Sequence, residues 1–369
     1  MPDRAHLAFT LALHRFVAPD PRENACWSPY SVASALGLVT VGANGLTRDE
    51  LALPLLGDKS GDPRALGRLL TRASTLEPAG RDSEEPVLAV ANTLWADAEV
   101  RIRESYVDEL VEWPNGSVRH APFLKAPDEA RELINREVAE ITRGLIPELV
   151  PDGAIRSDTV AALVNALYLK CAWRNRFAEG ATQPRPFQSP AGAIDVPTME
   201  LTESIGYAAT GGWRVVSLPA VGGVRAVVLL PDADLATAEP DLDADALAQL
   251  LDAPRSTKVR LRLPTVDVST QTELTPALRQ LGVRRVFRDD AELGGISPDQ
   301  IAVQAVLHEA VLKLDEQGFE GAAATAVMFR MTSIDVSEPV AVDVDRPFLL
   351  LVQHAATGVI YFATRVVEP

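Results

Sequence analysis

The spacing of hydrophobic residues in the first third of this chain is mainly helical. The stretch SPYSVASALGLVTVGA predicts a helix with Ser28 as its N-cap and Pro29 at the first helical position. Further on, LTRDELALPL places Glu50 three residues after Thr47, which is the pattern of a capping box at a helix start. Both patterns indicate that helices dominate from about residue 4 to about residue 125.

Strands and one more long helix are indicated by the middle of the chain. Residues 87–97 (VLAVANTLWAD) predict a buried strand, and residues 126–146 predict an amphipathic helix. An apolar run at 159–173 is too long for an average strand and too polar in its middle for a membrane helix.

The second half of the chain is richer in strand patterns than the first. Candidate strands are WRVVSLPA, VRAVVLLP, KVRLRLPTVDVS, IAVQAVLHEAVLKLDEQ, VAVDVDRPFLLLVQH and GVIYFATRVV. Two helical pieces, LDADALAQLLDA and LTPALRQLGV, lie between them. No repeat period, low-complexity tract or flexible linker divides the chain, so we expect one mixed α+β domain over residues 1–369.

Residues 316–332 (EQGFEGAAATAVMFRMT) carry two conflicting signals. Alanine is the best helix former, so the centre of this segment favours a helix. The side chains nevertheless alternate, with small or apolar residues at the odd positions from 319 to 331 and both inner charges, Glu320 and Arg330, at even positions. That alternation is typical of a half-buried strand, and it is longer here than in most strands.

Composition narrows the range of partners. The 369 residues are 47% hydrophobic and 23% charged, which is ordinary for a globular protein, and the net charge of -16 argues against nucleic acid or an anionic membrane as partner. One helix face is predicted to carry three arginines, Arg64, Arg68 and Arg72. Such a basic stripe is more often a solvent-exposed surface than a binding site for a polyanion. Cys26 and Cys171 lie in apolar stretches and are expected to be buried free thiols.

Localisation and chemistry are indicated mainly by what the sequence lacks. The N-terminal apolar run is too short to span a membrane and has no small-residue cleavage site, so we favour a cytoplasmic over a secreted protein. The sequence contains no GxSxG, HExxH or glycine-rich phosphate motif, and its five histidines have no partner at helical metal spacing. We therefore predict neither an enzyme nor a cofactor.

Five motifs, in order from near Phe9 to Pro369, resemble the serpins, a family of serine protease inhibitors, in their prokaryotic inhibitory type. They are NACWSPYSVASALGLVTVGANGLTRDEL; ANTLWAD with INREVAEITRGLIPELVPDGAI; LVNALYLKCAWRNRFAEGATQPRPF; LHEAVLKLDEQGFEGAAATAV; and VDRPFLLLVQHAATGVIYFATRVVEP. The resemblance implies the serpin fold, with a large mixed main sheet, two further sheets, about nine helices and an exposed reactive loop at about 316–338.

The resemblance also implies a mechanism. A serine protease would cut the loop and form a covalent acyl complex, and the loop would then insert as a new central strand and trap the protease. The family's spacing from Glu316 predicts Thr332–Ser333 as the cut bond, with Phe329, Arg330 and Met331 left open as shifted positions. We expect a monomer acting on chymotrypsin-, elastase- or subtilisin-like proteases. The alternative is a non-inhibitory serpin-fold binding or storage protein.

Three groups of site residues follow from the resemblance. The hinge of the loop comprises Glu316, Gly318, Phe319, Glu320, Gly321, Ala322, Ala323, Ala324 and Thr325. The polar cluster where the main sheet parts, called the shutter, comprises Ser28, Ser31, Asn165 and His308. Trp173 lies at the breach, the point where insertion begins. Two residues depart from the family: Phe319 is large where a small residue is usual, which predicts slower insertion or a pocket, and Gly321 replaces an alanine.

Overall fold

The computed structural model describes residues 3–80, 84–111, 113–114, 116–156, 159–319 and 338–369. Within these ranges the α-helices are α1 (Arg4–Val17), α2 (Pro29–Gly42), α3 (Gly45–Leu56), α4 (Pro63–Ser74), α5 (Glu104–Leu110), α6 (Pro127–Ile141), α7 (Leu235–Ala238), α8 (Ala244–Asp252) and α9 (Thr275–Gln280). The strands are β1 (Ala25–Trp27), β2 (Val87–Asp97), β3 (Gly116–Ala121), β4 (Ala161–Ala172), β5 (Gln183–Ser189), β6 (Gly192–Thr210), β7 (Trp213–Pro219), β8 (Val224–Pro231), β9 (Arg255–Pro264), β10 (Val266–Glu273), β11 (Val306–Leu314), β12 (Gly318–Phe319), β13 (Val340–Asp343), β14 (Phe348–His354) and β15 (Ile360–Val366).

The main sheet is six-stranded and mixed, in the order β10-β11-β12-β4-β2-β3. Strands β2 and β4 pair antiparallel over ten residue pairs, whereas β4 pairs parallel with β11 and β2 with β3. The largest hydrophobic core, which includes α2, covers one face of the sheet, and a second cluster beneath α6 covers the other. Because both faces of the sheet are buried, the sequence of β4 is a nearly continuous apolar run. This explains why the pattern at 159–173 did not distinguish a strand from a helix.

The other strands form one continuous nine-stranded sheet, in the order β1-β15-β14-β8-β7-β6-β9-β13 with β5 on β6. The expectation of two further sheets is corrected in this respect. The 19-residue strand β6 pairs with β5 through one end, with β9 through its middle and with β7 through the other end. The two expected sheets are therefore joined by hydrogen bonds through β6, and the mixed α+β class is confirmed.

The local sequence predicted the start of α2 correctly and the start of α3 incorrectly. Ser28 caps α2 as expected, since its side chain accepts a hydrogen bond from the backbone N–H of Ser31. The capping box at Thr47 is wrong, because α3 already begins at Gly45. There the carboxylate of Glu292, far along the chain, accepts from the N–H of Thr47, and the Thr47 hydroxyl accepts from the N–H of Glu292. A tertiary partner caps this helix instead of a local one.

Other sequence predictions fare well. The strand at 87–97 is confirmed, and the helix predicted over 126–146 is confirmed over Pro127–Ile141 but ends five residues early. Both cysteines are free and buried. Burial raises the pKa of each thiol to about 12, so both thiols are protonated at neutral pH. On α4, Arg64 forms an ion pair with Glu109 and Arg68 with Asp62, which favours the reading of a solvated face.

Candidate functional site

The site lies where the main sheet is incompletely joined. Strands β4 and β11 form a parallel ladder over only four residue pairs, from Leu163↔Val306 to Ala166↔Glu309. At the far end of the same two strands, the two-residue β12 lies between them, with Phe319 opposite both Cys171 and Leu314. We call the four-pair contact the junction and the end that holds β12 the mouth. A chain that continued from Phe319 in the same register would pass from the mouth toward the junction.

Aromatic packing holds β12 in the mouth. Phe319 is 1% exposed, and its ring centroid lies 4.9 Å from that of Trp173, which in turn contacts Phe177 edge-on at 6.2 Å. The indole N–H of Trp173 donates to the carbonyl of Asp315 at 2.8 Å, and its backbone N–H donates to that of Gln317 at 2.9 Å. The large side chain that departs from the family pattern therefore occupies an aromatic pocket. Its effect on insertion rate stays a prediction.

The turn that leads into β12 is fixed by polar contacts. The Asp315 carboxylate accepts from the backbone N–H groups of Gln317 and Gly318, at 2.8 and 3.2 Å. Glu316 accepts a hydrogen bond from the Thr182 hydroxyl. Gly318 has φ 153°, and a Cβ there would lie 2.1 Å from the carbonyl oxygen of Cys171. Glycine is required here because no side chain fits between the two strands.

The shutter residues lie around the junction. The Ser28 backbone N–H donates to Nε2 of His308 at 3.0 Å, so this nitrogen is the acceptor and Nδ1 carries the proton. Burial lowers the pKa of His308 to about 4, and the ring is therefore neutral at pH 7. Asn165 lies directly opposite His308 in the β4–β11 ladder. The structure thus brings Ser28, Ser31, Asn165 and His308 close together, and their role as a shutter stays a prediction.

Several polar atoms of the shutter lack partners within the described part of the chain. They are Nδ1 of His308, Oδ1 of Asn165 and the hydroxyl oxygen of Ser31, all buried. A buried polar group without a hydrogen bond costs roughly 1–3 kcal/mol. The junction is therefore a costly contact within an otherwise apolar core.

Asn92 belongs to the same network, although sequence reasoning missed it. Asn165 donates to the Asn92 side chain, and Asn92 in turn donates to the Ser34 hydroxyl at 2.7 Å and to the Pro114 carbonyl at 3.0 Å. The signal that could have revealed it is an asparagine in the middle of the apolar strand VLAVANTLWAD. A buried side-chain amide is costly unless its hydrogen bonds are made, so an asparagine within an apolar strand indicates a polar network.

The segment that follows α6, residues 142–150, crosses the face of the main sheet on which α6 packs. Helix α6 packs on β2, β3 and β4, and the Asn135 side chain on this helix exchanges two hydrogen bonds with the backbone of Val150. The Gln271 amide on β10 donates to the carbonyls of Glu148 and Leu149 at 3.1 and 3.0 Å. Residues 142–150 therefore connect α6, which packs on β4, to β10 across the face of the sheet.

Part of the predicted site lies outside the described residues. This applies to the hinge positions Glu320, Gly321, Ala322, Ala323, Ala324 and Thr325, to the bond Thr332–Ser333 and to the alternatives Phe329, Arg330 and Met331. Across the described ranges, no three His, Cys, Asp or Glu side chains are grouped so that they could hold a metal ion. Among the helices of these ranges, none is long and apolar enough to cross a membrane.

Comparison with known proteins gives a consistent result. The family model that matches is that of the serpins, described as serine protease inhibitors, over residues 4–369. Iripin-2 of Ixodes ricinus is 30% identical over 98% of this chain and 92% of its own, and an uncharacterized serpin-like protein of Thermococcus kodakarensis is 28% identical over 98% and 84%. Thyroxine-binding globulin in complex with thyroxine superposes with a TM-score of 0.85, at 22% identity over 99% of this chain and 98% of its own. The last likeness concerns the fold.

Proposed function

This chain belongs to the serpin family, and we propose that it is an irreversible, single-use inhibitor of chymotrypsin-, elastase- or subtilisin-like serine proteases. Members of the family are generally protease inhibitors rather than enzymes, so a protease is the general class of partner. Our proposal adds the mechanism, the class of target and the cut bond Thr332–Ser333. The chain itself would contribute no catalytic group.

The observation that carries the proposal is β12, which lies between β4 and β11. Phe319 is opposite Cys171 on one side and Leu314 on the other. Continued in the same antiparallel register, Thr325 would lie between Asn165 and His308, the two shutter residues that now face each other. Odd-numbered loop residues would face the same core as Phe319, which agrees with the alternation in the sequence.

The energetics favour this movement. A new central strand would form ladder hydrogen bonds on both sides, on the order of ten or more, each contributing roughly 0.5–1.5 kcal/mol net. It would replace only the four-pair β4–β11 contact, with its unpartnered polar atoms. The gain is comparable with the usual net stability of a domain, roughly 5–15 kcal/mol. Such a gain is large enough to distort a protease attached to the moving loop.

The chemistry belongs to the protease. Its serine oxygen attacks the carbonyl carbon of Thr332, the bond to the Ser333 nitrogen breaks, and the amine leaves with a proton from the protease's own general acid. The remaining ester would normally be hydrolysed by water. Insertion of the loop carries the acylated protease away from the mouth and deforms its active site before that second step. The inhibitor therefore acts once.

Thr325→Arg tests the proposal most directly. In the inserted register this position faces the core, where an unpaired charge costs several kcal/mol, so insertion should stall and the acyl-enzyme should be hydrolysed. Wild-type protein mixed with a chymotrypsin-like protease should give a complex that survives boiling in detergent. It should also give a C-terminal fragment that begins at Ser333. Thr325→Arg should give the fragment with little complex, whereas the matched control Thr325→Ser should trap the protease as wild type does.

Two outcomes would contradict parts of the proposal. If Thr325→Arg trapped the protease as efficiently as Thr325→Ser, insertion of this segment could not be the mechanism. If the fragment began elsewhere, for example after Phe329, Arg330 or Met331, the assignment of the cut bond would be wrong while the mechanism stood.

The second candidate function is a non-inhibitory binding or storage role. It is favoured by the likeness to thyroxine-binding globulin and by a cavity of about 270 Å³ between α1 and the C-terminal strands, lined among others by Leu11, Pro240 and Leu349. Detergent-resistant complex formation by the wild-type chain would exclude it as the main role.

A further inference from the structure

The indole ring of Trp113 packs against two helices in the largest core. Trp113 lies between α5 and β3 and is 3% exposed. A Cβ built on Gly37 of α2 would lie 2.3 Å from two carbons of the indole, and one built on Gly67 of α4 would lie 3.2 to 3.4 Å from three ring carbons. Each helix therefore carries a glycine where the ring touches it, although glycine weakens a helix interior relative to alanine.

Hydrogen bonding does not explain a tryptophan at position 113. Nε1 of the indole is buried and has no partner among the described residues, which is a cost that a phenylalanine would avoid. The backbone of Trp113 is fixed, since its N–H donates to the Leu110 carbonyl at 3.0 Å and its carbonyl accepts from the N–H of Gly116 at 3.3 Å. The indole therefore acts through the space that it fills, and it holds the turn between α5 and β3 against α2 and α4.

The residue after Trp113 belongs to the polar network at the junction. The Pro114 carbonyl accepts from the Asn92 side chain at 3.0 Å, and Asn92 also donates to the Ser34 hydroxyl of α2 at 2.7 Å. Asn92 in turn accepts from Asn165, a β4 residue of the junction. Because the proline ring restricts φ at position 114, the place of its carbonyl follows closely from that of Trp113.

The two sides of the junction are both attached to α2. His308 on β11 is bonded to the N-terminus of this helix, and Asn92 on β2 is bonded to Ser34 farther along it. Continuous ladders join β3 to β2 and β2 to β4, so these three strands would shift together on α2 when β4 separates from β11. The hydrogen bond between Asn92 and Ser34 and the packing of Trp113 on Gly37 both resist that shift.

We propose that Trp113 is a positioning residue for the junction: its indole, packed on α2 and α4, keeps the Pro114 carbonyl against Asn92 and so sets how readily β4 separates from β11. This inference rests on the proposed function, in which that separation admits the loop. A smaller ring leaves the turn free to shift, weakens the hydrogen bond from Asn92 and lowers the cost of opening the junction. The same contact couples the position of α4 to the junction.

Hydrogen exchange in the intact chain tests the proposal without a protease, because it measures local opening. Trp113→Phe should speed exchange of the backbone amides of residues 306–309, on the β11 side of the junction, by about 2- to 10-fold, the effect of weakening one hydrogen bond. The amides of β14 in the nine-stranded sheet should exchange at the wild-type rate and report that the fold is intact.

A double variant separates positioning from packing. If Trp113 acts through Pro114 and Asn92, Asn92→Ala alone should speed exchange at 306–309, and adding Trp113→Phe should speed it no further. The added change should still lower the free energy of unfolding, because the ring contacts with α2 and α4 are lost in either background. Asn92→Thr, which keeps a residue suited to a strand, takes the place of Asn92→Ala if that variant does not fold.

Trp95→Phe is the matched control. Trp95 on β2 is also buried, and its Nε1 also lacks a partner among the described residues, but it lies in the core beneath α6 on the other face of the sheet. This variant loses the same part of a ring and the same unpartnered N–H, and it should leave exchange at 306–309 at the wild-type rate.

Three results would overturn the role assigned to Trp113. They are unchanged exchange at 306–309 in Trp113→Phe, an equal increase in Trp95→Phe or throughout β14, and a full further increase when Trp113→Phe is added to Asn92→Ala. The proposed function fails separately, if the wild-type chain forms no detergent-resistant complex with an active protease, and the exchange rates of the intact chain still decide the role of Trp113 in that case.

Discussion

The two sheets of this protein differ in how completely their strands are joined. In the nine-stranded sheet the ladder runs without a break from β1 to β13, with ten pairs between β6 and β9 and six between β14 and β8. In the six-stranded sheet the central strands β4 and β11 share four parallel pairs and are separated by β12 at the mouth. Under the proposed function, the first sheet would be a fixed scaffold and the second would take up another strand.

The residues at the two centres explain the difference. Strands β14 and β15 are buried along their whole length and are mainly hydrophobic, with aliphatic and aromatic side chains. The junction instead holds Asn165 and His308, with polar atoms that lack partners in the described ranges. In the proposed function the junction opens, and these unpartnered groups would lower the cost of separating β4 from β11. Four predictions test this contrast, from the largest expected effect to the smallest.

Cleavage of the reactive loop should change stability most. Cutting between Thr325 and Ser333 frees the loop to insert, and the new ladder should add roughly 10 kcal/mol or more. We expect the midpoint of thermal unfolding, measured by circular dichroism, to rise by at least about 10 °C. An unchanged or lower midpoint would mean that the loop stays out, and the binding or storage role would then be preferred.

A cavity in the scaffold should weaken both forms of the protein alike. Leu350 on β14 is fully buried, so Leu350→Ala should cost about 2–5 kcal/mol in denaturant unfolding of the intact and of the cleaved chain. Leu163→Ala, on β4 in the junction, should cost different amounts in the two forms, because its neighbour across the ladder changes from Val306 to the inserted loop. Equal costs for Leu163→Ala in both forms would argue against insertion at this place.

Acid should destabilise the intact protein through its buried histidines. Burial lowers the pKa of His308 to about 4 in the folded chain, against about 6.5 when unfolded. Above pH 6.5 both states are neutral. As the pH falls from 6.5 to 4 only the unfolded state takes up the proton, so stability is lost across this window, by roughly 3 kcal/mol.

The same measurement distinguishes the junction from the scaffold. His6, whose Nε2 accepts from the N–H of Ile360 on β15, also has its pKa lowered to about 4 by burial. Unfolding measured at pH 7 and at pH 4.5 should show a smaller acid loss in His308→Gln than in wild type. The remainder includes the contributions of His6 and of His354, whose pKa burial also lowers. An identical pH profile in the variant would contradict the assigned protonation state of His308.

Removing the link across the main sheet should have the smallest effect and should act on a rate. Gln271→Ala deletes the two hydrogen bonds to Glu148 and Leu149 that must break when β10 and β11 move away from β4. Two such bonds together contribute about 1–3 kcal/mol, so insertion should be roughly 5- to 100-fold faster at most. Tryptophan fluorescence after mixing with excess protease reports this rate. The neighbouring change Ser269→Ala is the control, and equal rates in both variants would remove the role assigned to Gln271.

The local sequence pattern correctly predicted those helices and strands whose position in the fold depends only on their own residues. The strand Val87–Asp97 and the Ser28 cap of α2 are confirmed because an apolar run and a serine before a proline act over a few residues. The predicted start of α3 was wrong because the hydrogen-bond partner of Thr47 is Glu292, some 245 residues away in the chain. Asn92 and Gln271 were missed for the same reason, since their roles depend on strands that meet only in the folded chain.

The sequence by itself determined the family and the alternation of residue types in the loop, because these depend on residue type and order. The shutter assignment stays a prediction from the resemblance. The tertiary structure decided that β4 and β11 meet over only four pairs and that Phe319 has an aromatic pocket between them. These features arise from contacts between residues distant in the chain, and such contacts depend on strand register and packing, which no local pattern encodes.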